Sequence, residues 1–159
     1  MDCTTPYETE VIFPGTNITS QSYPEEYGNN QDCEITIRFK SRIRLLFLAF
    51  DLEYSYGCPY DYLNVFDGPS SSSPPLSPEG NMCGSTMPEP ILSTGNILHI
   101  LFHSDSSTGK TGFKIQPQAY DGGKTCNVLK KITNRKGKMM HKMNTAYLSK
   151  TFCLHLSGG

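Results

Sequence analysis

The sequence predicts an all-β domain, an antiparallel two-sheet β-sandwich, followed by a basic segment built differently. Three observations predict it. Short runs of strand-forming residues recur along residues 1–120, separated by Gly, Pro, Asn, Asp and Ser. Several runs alternate apolar and polar residues at the period of a strand, and none reads convincingly as a helix. The 159 residues hold six widely spaced cysteines, at 3, 33, 58, 83, 126 and 153, the usage of a disulfide-braced fold in an oxidising compartment.

Glu10 to Phe13 is a short strand candidate closed by Pro14-Gly15. Tyr23-Pro-Glu-Glu-Tyr27-Gly-Asn-Asn30 is rich in turn formers, and its proline bars it from regular pairing. Glu34 to Phe39 sets Ile35, Ile37 and Phe39 on one face and Glu34, Thr36 and Arg38 on the other, a half-buried strand. Ile43 to Leu52 is apolar at both parities, the pattern of a central strand covered on both sides. A helix of that length competes, but nothing caps it and its neighbours are strands. Tyr62 to Phe66 is a further strand ended by the turn Asp67-Gly68. Pro69 to Gly80, PSSSSPPLSPEG, is read as an exposed, mobile loop. Ile97 to His103 and Gly112 to Ile115 complete the pattern.

Charge divides the chain. Residues 1–120 carry six Lys/Arg against fourteen Asp/Glu, a net of −8, whereas residues 121–159 carry eight against one, a net of +7. The expected domains are therefore 1–120, the sandwich, and 121–159, a basic tail or the start of a following segment. Lys130, Lys131, Arg135, Lys136, Lys138 and Lys142 are spread along that tail. Three readings stand for it: a disulfide-closed basic loop, a second module cut short, or a disordered segment. The longest apolar run, Leu45 to Phe50, is too short to cross a bilayer. No charged n-region and apolar h-region opens the chain, so Met1 is read as the start of a mature fragment. Without a C-x-x-C pair the cysteines argue for disulfides over tetrahedral zinc, and sequence-adjacent pairing (3–33, 58–83, 126–153) respects the charge break. Asn17-Ile18-Thr19 is an acceptor for N-glycosylation, in keeping with a secreted or extracellular chain.

The stretch richest in chemistry is Phe50 to Gly68, FDLEYSYGCPYDYLNVFDG, where Glu53 and Asp61 flank Cys58-Pro59. A later acid, Asp105, follows in His103-Ser-Asp-Ser-Ser-Thr-Gly109. Catalysis finds no footing. His103, Ser104 and Asp105 are contiguous, and neighbours on a strand point to opposite faces, so they cannot form a relay. No Gly-x-Ser-x-Gly elbow, His-Glu-x-x-His helix or phosphate loop occurs. His99 and His103 share a strand face but stand about 13 Å apart at the usual rise, too far for one metal. The chain is therefore not expected to be an enzyme.

The residues in hand form an ordered series: Gly15-x-x-Ile18, Tyr23-Pro24-x-x-Tyr27, Cys33-x-Ile35-x-Ile37 and Phe50-x-Leu52-Glu53. Cys58-Pro-Tyr60-Asp61-x-Leu63-x-Val65-x-Asp67-Gly68, Cys83-Gly84, Phe102-x-Ser104-Asp105 and Thr111-Gly112-Phe113 continue it. From about Cys3 to Tyr120 this series resembles a CUB domain, the jelly-roll-like extracellular sandwich of complement proteases, astacin-type proteases and spermadhesins. Gln21-Ser22 stands where the family usually has Ser-Pro, Ile35 where tryptophan is frequent, and the loop before Cys83 is enlarged. None of these departures touches the acids.

The resemblance implies the disulfides Cys3–Cys33 and Cys58–Cys83, leaving Cys126 and Cys153 as a possible third pair. It also implies a calcium site at Glu53, Asp61 and Asp105, with a main-chain oxygen of Ser107, and with Tyr27 behind them orienting Glu53 by a hydrogen bond. Calcium takes six to eight oxygen ligands and tolerates irregular geometry, which three carboxylates, carbonyls and waters can supply. Two charges 4 Å apart repel by about 4 kcal/mol at an effective dielectric near 20, and a cation removes that penalty. In calcium-binding members the acids then receive a basic side chain of a protein partner. A lysine or arginine is thus expected against Glu53 and Asp105, helped by a hydroxyl of Ser106–Thr108.

Two other partner classes follow from the tail. Its lysines could meet glycosaminoglycans or other polyanions as diffuse charge, an interaction that salt would weaken and chelation would spare. They could also enter the acid site of a second copy, giving calcium-dependent self-association. Nucleic acid is not expected as a partner, and neither is a transmembrane segment.

Overall fold

The computed structural model describes residues 13–77 and 80–122. The chain divides into units Met1–Asp121 and Gly122–Gly159, and the first is the one described below. Cys3, the strand candidate Glu10–Phe13 apart from Phe13, and the tail from residue 123 on, with Cys126 and Cys153, lie outside the described residues.

Among the described residues there are seven strands: β1 (Ile18–Thr19), β2 (Gln31–Arg38), β3 (Arg42–Asp51), β4 (Tyr62–Phe66), β5 (Ile91–Leu92), β6 (Ile97–Ser104) and β7 (Gly112–Tyr120). They form two sheets, ordered β1-β7-β3-β5 and β2-β6-β4, with every pairing antiparallel. The all-β two-sheet sandwich is the architecture expected. Alternation supplies its core: Ile35 and Ile37 of β2, Leu63 and Val65 of β4, Leu98, Ile100 and Phe102 of β6, and Phe113 and Ile115 of β7 all point inward.

β3 departs from the expectation of a strand covered on both sides. Ile43, Leu45 and Phe47 are buried, and so are Phe50 and Leu52 beyond the strand's middle, while Leu48 is 47% exposed. The register against β7 shifts between Phe47 and Ala49. A bulge at Leu48 thus switches the inward parity from odd to even, and the run looks apolar on both faces although only one is covered. The bulge delivers Phe50 and Leu52 to the core just before Glu53, and so helps to set where that acid emerges.

The Ser/Pro stretch also differs from expectation, because its second half is anchored. Asp67 N–H donates to the Pro74 carbonyl (2.8 Å) and Leu76 N–H to that of Val65 (2.7 Å). Ser77 Oγ accepts the Val65 N–H at 3.1 Å, and Leu76 packs on the core. Further along, Leu63 and Met82 exchange both backbone hydrogen bonds (2.9 and 3.0 Å). Cys58 and Cys83 form a disulfide, Cα atoms 5.7 Å apart, that ties the base of this excursion to the loop before β4. Cys33 is disulfide-bonded as well.

Outside the core, His99 of β6 is buried, with Nδ1 2.9 Å from Thr36 Oγ1 and Nε2 3.5 Å from a Glu34 carboxylate oxygen. Burial holds its pKa below the ordinary 6.5, with Glu34 opposing in part. The unfolded chain therefore binds the proton more readily than the folded one. The contribution of neutral His99 is complete above pH ~6.5 and is lost as pH falls from there through its lower folded value. Thermal melts over that acidic interval are expected to show a shallower decline for His99→Gln than for the parent; identical slopes would remove His99 from the acid response.

Candidate metal centre

Four elements meet at one end of the sandwich. Tyr27 lies in the turn-rich segment before β2, Glu53 two residues beyond β3, Asp61 immediately before β4, and Asp105 immediately after β6. Because β4 pairs with β6, with Tyr62 opposite His103, the acids at their adjoining ends are brought side by side. One carboxylate oxygen from each of Glu53, Asp61 and Asp105 falls within 4.8 Å of the others.

Asp61 is the hub. It is fully buried (0% exposed), its Oδ2 accepts the Tyr27 hydroxyl at 2.6 Å, and its Oδ1 accepts the Asp105 N–H at 2.8 Å. The Tyr27 oxygen in turn accepts the Glu53 N–H at 3.1 Å. Tyr27 thus holds Glu53, the residue it is expected to orient, through the Glu53 main chain, and its proton goes to Asp61. Its ring stands edge-on to Phe102 (5.2 Å between centroids), so the core aims the hydroxyl. Burial, and then the bond to Asp61, push the Tyr27 phenol up, well above its ordinary range.

The Asp105 loop is fixed by groups that sequence reasoning took for plain turn residues. Asn29 Nδ2 donates to the Ser106 carbonyl (3.0 Å) and the Asn30 N–H to that of Asp105 (2.6 Å). Ser104 Oγ donates to the Gly28 carbonyl (2.9 Å) and accepts the Gln31 N–H (3.0 Å). The Ser107 N–H donates to Asp105 Oδ1 at 2.9 Å. At Gly109 a Cβ would lie 2.6 Å from the Tyr27 carbonyl oxygen, so only glycine lets this loop sit against Tyr27. The sole signal for these roles was the Asn29-Asn30 pair, which a turn explains equally well.

The donor chemistry fits a hard cation. All three side chains offer oxygen, the set calcium prefers over thiolate- or imidazole-seeking metals. Glu53 Oε2 is buried without a hydrogen-bond partner. Among the described residues no lysine or arginine pairs with any of the three, the only ion-pair contacts being His99–Glu34 and His103–Asp32. A fully buried carboxylate with no positive partner is costly, and a bound cation would offset that cost.

A CUB domain model matches residues 8–116. The chain belongs to the CUB domain family. This CUB domain is a protein-interaction module, and its relatives include parts of much larger proteins. It is 36% identical over 119 residues to human Tolloid-like protein 1, covering 74% of this chain and 12% of that protein. It is 37% identical over 125 residues to human tumor necrosis factor-inducible gene 6 protein, covering 75% of this chain and 44% of that one. Among solved structures, the MASP-1 CUB2 domain bound to Ca2+ is 31% identical with a TM-score of 0.59, covering 69% of this chain and 96% of that one. The full extracellular region of zebrafish Gpr126/Adgrg6 matches at 30% identity and a TM-score of 0.58, covering 69% of this chain and 14% of that one. The sequon residue Asn17 is exposed just before β1, its Oδ1 accepting from Gln116 (3.2 Å). No helix of the described residues is long and apolar enough to cross a membrane.

Proposed function

We propose that this CUB domain acts outside the cell as a calcium-dependent protein-recognition module. Glu53, Asp61 and Asp105 would hold the ion, with a main-chain oxygen of Ser107. The observation that carries this reading is Asp61, a fully buried carboxylate with an oxygen within 4.8 Å of oxygens of two other acids and with no basic side chain paired to it among the described residues. The MASP-1 CUB2 relative, solved with Ca2+, supports it. Bound there, the ion neutralises the cluster and stiffens the loops that carry it.

The chain's own residues do the rest. Tyr27 fixes Asp61 and the Glu53 main chain, and Asp61 fixes Asp105, so one hydroxyl and one carboxylate position three loops. Glu53 and Asp105, only half-buried, keep capacity to accept charge-assisted hydrogen bonds from a lysine or arginine of a partner protein. Exposed Tyr54, Tyr56 and Tyr60 on the same loop offer amphipathic surface around that contact. A single half-solvated contact is weak, so repeated modules or oligomers would supply avidity.

The test is calorimetric titration of the full chain with calcium, beside thermal melts in calcium and in chelator. One ion per chain is expected, with stabilisation of about 2.7 kcal/mol at a hundredfold excess over Kd. Asp105→Ala is expected to weaken the ion and abolish capture of a lysine-bearing partner. No heat and an unchanged melt up to millimolar calcium would overturn the reading.

A further inference from the structure

We propose that Ser70, Ser71 and Ser72 are acceptors for O-linked glycosylation, starting with an N-acetylhexosamine. Five serines lie between Pro69 and Ser77, and the structure separates them. Ser77 is buried, its Oγ donating to Asn64 Oδ1 (3.3 Å) and accepting the Val65 N–H (3.1 Å). Ser73 is half-buried, its Oγ accepting the Ser70 N–H at 3.4 Å and lying against Gly68, where even a Cβ would meet it at 2.4 Å. Both hydroxyls are engaged. Those of Ser70, Ser71 and Ser72 are exposed and make no hydrogen bond among the described residues.

The backbone around the three serines is held open. Exposed Pro69, Pro74 and Pro75 flank them, and proline's fixed φ and missing N–H keep the segment out of helix and ladder. Clustered serines with prolines are the composition of O-glycosylated segments. The Ser73 N–H closes a turn on the Ser70 carbonyl (3.0 Å), the Thr36 hydroxyl meets the Pro69 carbonyl (3.3 Å), and the Asp67 N–H meets that of Pro74 (2.8 Å). Three free hydroxyls therefore stand at the tip of a loop pinned on both sides, a shape that a transferase can enter without unfolding the domain. The Cys58–Cys83 disulfide agrees with passage through the secretory compartment where such transferases work.

The donor is a nucleotide-activated N-acetylhexosamine. The serine oxygen forms a bond to the anomeric carbon, the bond from that carbon to the diphosphate breaks, the nucleoside diphosphate leaves, and the hydroxyl proton passes to the transferase. Nothing is oxidised or reduced. The loop follows the end of β4 remote from Asp61, and five residues of strand span about 17 Å, so sugar there leaves the acid cluster open.

The full chain should be secreted from cultured animal cells, stripped enzymatically of N-linked glycan, and analysed by intact mass and by fragmentation of the peptide spanning residues 69–77. The expected result is added N-acetylhexosamine-based mass on Ser70, Ser71 or Ser72, retained in S73A and absent from the S70A/S71A/S72A protein. An unmodified peptide from the parent, phosphate in place of sugar, or sugar confined to Ser73 or Ser77 would overturn the proposal. The parent measurement alone decides, however the variants fold.

Discussion

Asp61→Asn is expected to fold, to be at least as stable as the parent in chelator, and to lose its stabilisation by calcium. The side chain keeps its shape. Its Oδ1 can still accept the Asp105 N–H, and its new Nδ2 can donate to the Tyr27 oxygen. The Tyr27 proton, which Asp61 Oδ2 accepts in the parent, then has to turn elsewhere, a cost that the lost buried charge offsets. What disappears is the buried charge, together with its repulsion of Glu53 and Asp105. Asp61→Ala is a different experiment. It strands the Tyr27 hydroxyl and the Asp105 N–H, each costing about 1–3 kcal/mol when buried and unpaired, so about 2–6 kcal/mol in all. Denaturant unfolding of parent, D61N and D61A, each with and without calcium, reads the whole pattern. A D61N protein whose midpoint still rises with calcium like the parent's would place the cation elsewhere.

Removing the Cys58–Cys83 bridge is the second large effect. The bond closes a sequence separation of 25 residues, and loop-closure entropy for a loop of that size is worth about 3–4 kcal/mol. That is a large share of a domain stability of about 5–15 kcal/mol. The closed loop carries Asp61, β4 and the Ser/Pro excursion, so the lost restraint falls beside the acid cluster. The double variant Cys58→Ala/Cys83→Ala should show an unfolding free energy lowered by that amount in denaturant titration. A loss below about 1 kcal/mol would mean that strand pairing alone restrains the loop, contrary to the entropic account.

The long strands were legible because each shows several alternating residues to solvent and core in turn. The Tyr62–Phe66 boundaries coincide with β4, and the 34–39, 43–52 and 97–103 runs differ from β2, β3 and β6 by no more than a few residues. β1 and β5 were missed because a two-residue strand has no period to read. The 112–115 run stops short of β7, which continues through Pro117 to Tyr120. In the fold the Pro117 carbonyl accepts from Gly15, and a residue's N and carbonyl face the same edge of its strand. The N–H that proline lacks would thus have pointed away from β3, past the end of the β1 ladder, where nothing in the sheet needs it. The bulge at Leu48 and the anchoring of Ser77 rest on partners far away in sequence, which single-strand patterns do not carry. For the acids, it was the resemblance to CUB domains that pointed to Glu53, Asp61 and Asp105 together with Tyr27. What stayed hidden was Asp61's place at the centre, because burial and hydrogen-bond direction are properties of the folded neighbourhood.

The segment at 74–77, pinned along β4, bears on how other chains can approach. β4 is the margin of its sheet, and Pro74 and Pro75 offer no N–H to an incoming strand. β1 and β5, the margins of the other sheet, are two residues each. At these three margins a foreign strand meets either an occupied ladder or one too short to template it. Association by strand addition is therefore blunted at these three. The remaining margin, β2, is eight residues long. Away from β2 a partner meets what the loops display: acids, tyrosines and, on the far side, the serine tip.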